Sequence, residues 1–240
     1  MIRLIRHTRV AIWISVLVVL LSACSFGRKP GWSLCLVTDS PGNVLRIDVE
    51  CDFGPFTPLL EDISGSIYSY PFIYSFLFVP DPAGKLMPDL AVAWAYDLQN
   101  FTWRIDLRKD AFFHNGDPVT AADVVFSIQS AIEHRIKSME AGIKNIKEIN
   151  PYCLEIQLKQ DDPALPFRIW DMSITPVPDR HANLDPDKAP VGSGPFIFDR
   201  LTDDARVLLL ANDRYYNNRP KIDRVVLHYI LTGKSPGPGC

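Results

Sequence analysis

The spacing of apolar positions beyond residue 43 changes period several times, and each change marks an element. Val44–Val49 alternates, with Leu45, Ile47 and Val49 on one face, the pattern of a half-buried strand. Residues 67–79 are densely aromatic, carrying Tyr68, Tyr70, Phe72, Tyr74, Phe76 and Phe78. These residue types suit a buried helix or extended chain, and a helix over 69–77 is the preferred reading. Asp81-Pro82-Ala83-Gly84 has the Pro and Gly placement of a turn. Residues 91–96 and 101–107 then predict an antiparallel hairpin, with Phe101, Trp103, Ile105 and Leu107 inward and Thr102, Arg104 and Asp106 outward. After a second turn at residues 114–118, Thr120 followed by Asp123 reads as a short-armed capping box. The helix it opens runs to about Arg135, with Val124, Val125, Ile128, Ala131 and Ile132 as its apolar stripe. A further hairpin is expected from 143–149 and 153–158, a short helix over 163–170, irregular chain over 176–190, and strands at 196–198, 206–211 and 224–230. The class is α/β, a mixed sheet with antiparallel hairpins, without internal repeats or heptads.

The N-terminus follows another rule. Residues 1–9 hold Arg3, Arg6 and Arg9 with no acid, and residues 10–21 are apolar except for Ser15. A membrane span needs about 20 apolar residues, so this shorter run reads as a secretory signal. Leu21-Ser22-Ala23-Cys24 resembles a bacterial lipobox. That resemblance implies cleavage before Cys24, diacylation of its thiol and acylation of the new amino group, several chains being needed for firm anchoring. An uncleaved anchor or a signal cut elsewhere are the alternatives. Ser25 after the cysteine resembles an outer-membrane sorting signal of Gram-negative envelopes. Residues 1–23 are thus expected to be a signal peptide and 24–43, rich in Gly, Pro and Ser, a tether.

Composition narrows the chemistry. The chain has 240 residues, 47% hydrophobic and 22% charged, which excludes wholesale disorder. Its 20 prolines argue against a simple helical bundle. The formal charge of −3 becomes −6 once Arg3, Arg6 and Arg9 are removed, and gives no reason to expect nucleic acid as partner. The five cysteines lack metal-ligand spacing; Cys35 and Cys51 could pair in an oxidising compartment. His114 lies in a turn beside Asp117 with no second His or Cys nearby, so it reads as a local hydrogen-bonding residue and not as a base or metal ligand. Asp161 and Asp162 would point apart in extended chain, and Trp94 and Trp103 read as core. Gly192-Ser193-Gly194 lacks the Lys-Ser/Thr of a phosphate loop. No catalytic residue, metal or cofactor is expected, and an envelope hydrolase is disfavoured for want of a nucleophile–base constellation.

Two stretches carry a resemblance. Leu86-Met87-Pro88-Asp89-Leu90-Ala91-Val92-Ala93-Trp94 leads through a strand ending Leu107-Arg108 to Phe113-His114-Asn115-Gly116-Asp117-Pro118-Val119-Thr120-Ala121-Ala122-Asp123-Val124. Farther on stand Gly192-Ser193-Gly194-Pro195-Phe196 and Leu210-Ala211-Asn212-Asp213-Arg214-Tyr215-Tyr216. Their order and content resemble the family 5 extracellular solute-binding proteins, the peptide- and nickel-binding components of ABC importers. The resemblance implies the N-terminal lobe of a two-lobed, class II periplasmic-binding-protein-like fold over residues 44–240, Gly192 and Gly194 letting backbone pass closely at a lobe crossover. It further implies a cell-envelope location with the protein facing the periplasm or exterior, ABC permease subunits as partners, and a peptide or other small solute as ligand. Residues 51–58 and the aromatic stretch near Tyr68 and Tyr70 fall where that lobe meets ligand, with Phe53 and Gly54 the chosen contacts. The resemblance implies a length of roughly 500 residues, consistent with two sizeable lobes, and residues 232–240 are unlike the family's continuation, so the second lobe is expected to be missing. The competing expectation is a membrane-tethered interaction module or binding-incompetent fragment without a small-molecule ligand.

Overall fold

The computed structural model describes residues 35–37, 43–49, 56, 58, 68–134, 142–172, 174–178 and 189–230. The expected signal peptide, the lipidation site Cys24, Cys51, Phe53, Gly54 and the tail 232–240 lie outside the described residues. In chain order the elements are β1 (Cys35–Val37), β2 (Val44–Val49), α1 (Tyr70–Ile73), β3 (Phe78–Pro80), β4 (Leu86–Pro88), β5 (Ala91–Asp97) and β6 (Thr102–Leu107). There follow α2 (Ala121–His134), β7 (Ile143–Asn150), β8 (Cys153–Leu158), α3 (Leu165–Asp171), β9 (Phe196–Leu201), β10 (Arg206–Ala211) and β11 (Arg224–Tyr229).

The strands sort into two main sheets, each with its own core. One is five-stranded, in the order β1-β2-β11-β10-β9. All its pairings are antiparallel except β2 with β11, which run parallel with Val44 opposite Arg224 and Val49 opposite Tyr229. Leu45, Ile47, Val207, Leu209, Val225 and Leu227 project from it into a core closed by Tyr70, Ile73 and Tyr74 of the aromatic stretch. The other sheet is four-stranded, β5-β6-β8-β7, all antiparallel. Its inward residues Ile105, Leu154 and Ile156 are fully buried, together with Val124 and Ile128 on the apolar stripe of α2. A two-stranded ribbon, β3 with β4, adds Phe78 to this second core.

Helix α2 starts where its capping pattern places it. The backbone N–H and the hydroxyl of Thr120 both donate to the Asp123 carboxylate, at 2.7 and 2.6 Å, and the Ala121 N–H is tied to the carbonyl of Pro151 in the β7–β8 turn at 2.8 Å. Two expectations need correction. The helix read over 69–77 is only the four residues of α1, followed after an extended Tyr74 by chain that enters β3. Sideways hydrogen bonds explain this: the Ser75 hydroxyl donates to the Ser193 carbonyl at 2.9 Å, and the Phe76 N–H donates to Asp89 at 3.0 Å, so neither residue is free to extend a helix. Within the stretch read as a tether, Cys35–Val37 forms a strand paired to β2.

The two cores meet where residues 192–194 cross the end of α1. The Gly194 N–H donates to the Ile73 carbonyl at 2.9 Å. A Cβ on Gly192 would lie 1.9 Å from the Ile73 oxygen, and one on Gly194 would lie 2.6 Å from the Ile73 carbonyl carbon. Both glycines are therefore required by contact with backbone, which cannot swing aside as a side chain can. Gly192→Ala should lower the urea midpoint by the equivalent of about 3 kcal/mol, the upper range for overpacking. Gly84→Ala, which meets nothing within 4 Å but sits at φ +80°, should cost only about 1 kcal/mol. Equal costs in equilibrium unfolding would contradict the close-approach account.

Candidate functional site

Three segments converge on the crossing at Gly192–Gly194: the end of α1, the turn after β6 and the loop after β10. From the turn after β6, the His114 N–H donates to the Gly192 carbonyl at 2.8 Å. Its Nε2 lies 3.1 Å from the Gly194 carbonyl. A carbonyl can only accept, so the ring is assigned as the Nε2–H tautomer. Burial pushes the His114 imidazole down to about 4, so it stays neutral at ordinary pH. From the loop after β10, the Asn212 amide donates to the same Gly194 carbonyl at 3.0 Å, while its oxygen accepts the Arg214 N–H at 3.0 Å. The Arg214 guanidinium stands 5.2 Å over the Phe112 ring, beside Gly116 at φ +95°. Its loop thus grips both the crossing and the turn that carries His114.

The same loop reaches the start of the second sheet. The Tyr216 hydroxyl donates to Asp89 at 2.5 Å, and the Asp89 carboxylate also accepts the Phe76 N–H. Arg108 stacks 3.8 Å from the centre of the Tyr216 ring, with its Nε 2.7 Å from Asp110. Burial pushes the Asp89 carboxyl up to about 6, against the opposing pull of Tyr216, the Phe76 N–H and Arg108. Asp89, Arg108 and Tyr216 were within the motifs quoted from the sequence, yet nothing in their spacing revealed that they meet. Other singled-out residues are engaged separately. Asp161 accepts the Tyr96 hydroxyl at 2.7 Å, while Asp162 pairs with Arg168. Trp103 is buried against Tyr96, and Trp94 packs edge-on to Phe78.

A second region has the geometry of a binding edge. The parallel strands β2 and β11 end side by side at Val49 and Tyr229, and ligands of open α/β sheets bind outside the carboxyl ends of parallel strands. Ser69, Tyr68 and Tyr70 stand beside the Tyr229 phenol there, and the two tyrosines add to the upward push that burial gives it. Tyr70 is buried and packs edge-on to Tyr74, with centroids 5.5 Å apart, so it belongs to the core and not to a ligand surface. Tyr68 remains half-buried, its phenol raised by burial. The Tyr74 hydroxyl donates to the Phe56 carbonyl at 2.7 Å, which pins the segment following β2 to this edge. Among the described residues no group of three His, Cys, Asp or Glu side chains could hold a metal ion. No helix among them is long and apolar enough to cross a membrane.

Two sheets with separate cores, joined by a backbone crossing, make up the described residues. The model of the bacterial extracellular solute-binding proteins, family 5 middle, matches residues 85–235, more than half of the chain, and the chain belongs to this family. The oligopeptide-binding protein AppA of Bacillus subtilis is 26% identical over 90% of this chain and 42% of its own length. The uncharacterized protein YhjP of Bacillus subtilis is 33% identical over 58% of this chain and 23% of its own. Among solved structures, NikZ from Campylobacter jejuni in complex with Ni(L-His) superposes with a TM-score of 0.67 at 26% identity, covering 80% of this chain and 40% of that one. The chain therefore spans well under half the length of these relatives. The mixed α/β, periplasmic-binding-protein-like lobe expected from the sequence is the fold observed.

Because His114 is held near 4 in the fold against 6.5 when free, its contribution to stability is complete above pH 6.5. It is lost as pH falls from there through 4. His114→Gln, which keeps a donor for the Gly194 carbonyl, should flatten this part of the pH–stability curve in urea titrations. An unchanged slope would show that the ring is not the titrating group.

Proposed function

We propose that this chain is the N-terminal lobe of a substrate-binding lipoprotein of an ABC importer, capturing peptides for transport across the membrane. The observation that supports this most is that the motifs around His114 and Asn212 both close on the backbone crossing at Gly192–Gly194; the face turned to a solute would be the edge at Val49 and Tyr229. Recognition through peptide backbone suits that edge, where Tyr68 and the segment around Phe53 and Gly54 would meet the ligand. The lobe would be non-enzymatic, working by holding solute until a second lobe closes over it and presenting it to permease subunits. Cys24, through its lipobox, would tether the lobe to the envelope membrane facing the periplasm or exterior.

The likeness to NikZ in complex with Ni(L-His) favours a second reading, a nickel chelate as the solute. Isothermal titration of the chain from Cys24 onward with peptides of two to eight residues, and separately with Ni(L-His), distinguishes them. Micromolar peptide binding that tolerates changes of side chain is expected. Heat from the nickel complex alone would replace the peptide reading, and heat from neither would favour a tethered interaction module with no small ligand. In cells, labelling with radioactive palmitate should be present in the parent chain and absent in Cys24→Ala; equal labelling would overturn the anchor.

A further inference from the structure

The Asp89 carboxylate is held by neutral donors from two distant segments, while the facing cation is occupied elsewhere. Its two oxygens accept the Tyr216 hydroxyl at 2.5 Å and the Phe76 N–H at 3.0 Å. Arg108, the facing cation, spends Nε and Nη2 on Asp110, at 2.7 and 3.0 Å, and reaches only the Asp89 backbone carbonyl, at 3.5 Å. These contacts join three separate segments: the chain between α1 and β3, the β4–β5 connection, and the loop after β10 that also holds the backbone crossing. We propose that Asp89, Tyr216 and Arg108 form a pH-responsive latch between the two cores of the lobe, which tightens as the medium acidifies.

The groups facing Asp89 are Arg108 with Asp110 after β6, Tyr215 and Tyr216 from the loop after β10, and Ser75 and the Phe76 N–H from the segment before β3. When Asp89 takes a proton from solvent, one oxygen still accepts from Phe76. The new O–H donates to the Tyr216 oxygen, and the phenol proton turns to the nearby Ser75 oxygen, whose own proton stays on the Ser193 carbonyl. No bond across the three segments is lost, and the cost of an enclosed charge without an ion pair disappears. The sign follows from the raised carboxyl, about 6 in the fold against 3.8 when free. Stability from this group is complete below 3.8 and is lost as pH rises through 6. His114 acts in the opposite sense, so the effect is read as a difference between two proteins that both keep His114. The latch requires only the lobe itself and is independent of which solute the lobe holds.

Asp89→Asn imitates the protonated acid: its oxygen accepts from Phe76 and its amide donates to Tyr216. Urea midpoints of parent and variant should differ at about pH 7.5, with the variant more stable. The gap should close as pH falls from 6 towards 3.8, with half of it gone at about pH 5, midway between the folded and free values. A gap that stays constant with pH, or a variant less stable at every pH, would overturn the latch. Should the variant fail to fold, the parent alone decides by carbon-13 NMR of the Asp89 side-chain carboxyl. A titration midpoint near 6 supports the latch, and one near 3.8 overturns it. Tyr216→Phe, which keeps the ring beneath Arg108 but removes a donor that favours the charged acid, should move the midpoint above 6; an unmoved midpoint counts against Tyr216 as the latch partner.

Discussion

The fold depends on one close approach, the passage of Gly192-Ser193-Gly194 across the Ile73 carbonyl. A Cβ at either glycine would overlap that carbonyl, so two backbones come as near as peptide groups allow. The reason for such closeness is topological. The chain begins the five-stranded sheet with β1 and β2, leaves to build the four-stranded sheet and α2, and returns through β9 and β10 to set β11 parallel to β2. Both excursions pass through the gap between the cores. Backbone there must satisfy its polar groups without a sheet ladder. The Ile73 carbonyl, the His114 ring, the Asn212 amide and the Ser75 hydroxyl together supply the partners.

The polar residues of the distinctive motifs are engaged in the seam between the two cores. His114, Asn212, Asp89 and Tyr216 are the residues a search for catalysis would first select, yet each is occupied in holding one core against the other. A half-buried neutral imidazole and a half-buried carboxyl with opposite shifts sit in one seam. There they act on stability with opposite dependence on pH.

Much of this was legible in the sequence where a single element decides the pattern. The alternation of residues 101–107 reflects one face of β6, and Trp103, Ile105 and Leu107 are buried as that period requires. The Thr120–Asp123 pair marks the start of α2 because the capping contact spans only three residues. The resemblance carried by the four motifs led to the correct family. Legibility failed where distant segments compete for the same backbone. Residues 69–77 have helix-compatible side chains, but Ser75 and Phe76 are drawn to Ser193 and Asp89, far away in sequence. No local pattern records that pull. Asp89 and Tyr216 are likewise joined across 127 positions, and Tyr70 looked like a ligand contact until its neighbours Ile73 and Tyr74 enclosed it.

If the glycine crossing is the constraint that makes one lobe of two cores, its amides should open only when the whole lobe unfolds. Native-state hydrogen exchange on the intact chain measures this directly, through the N–H groups of His114 and Gly194, which donate to Gly192 and Ile73. They should exchange with the same free energy of opening, and the same dependence on denaturant, as Ile105 and Leu209 in the two cores. Exchange of His114 and Gly194 through a much smaller local opening, with both cores still protected, would contradict the claim.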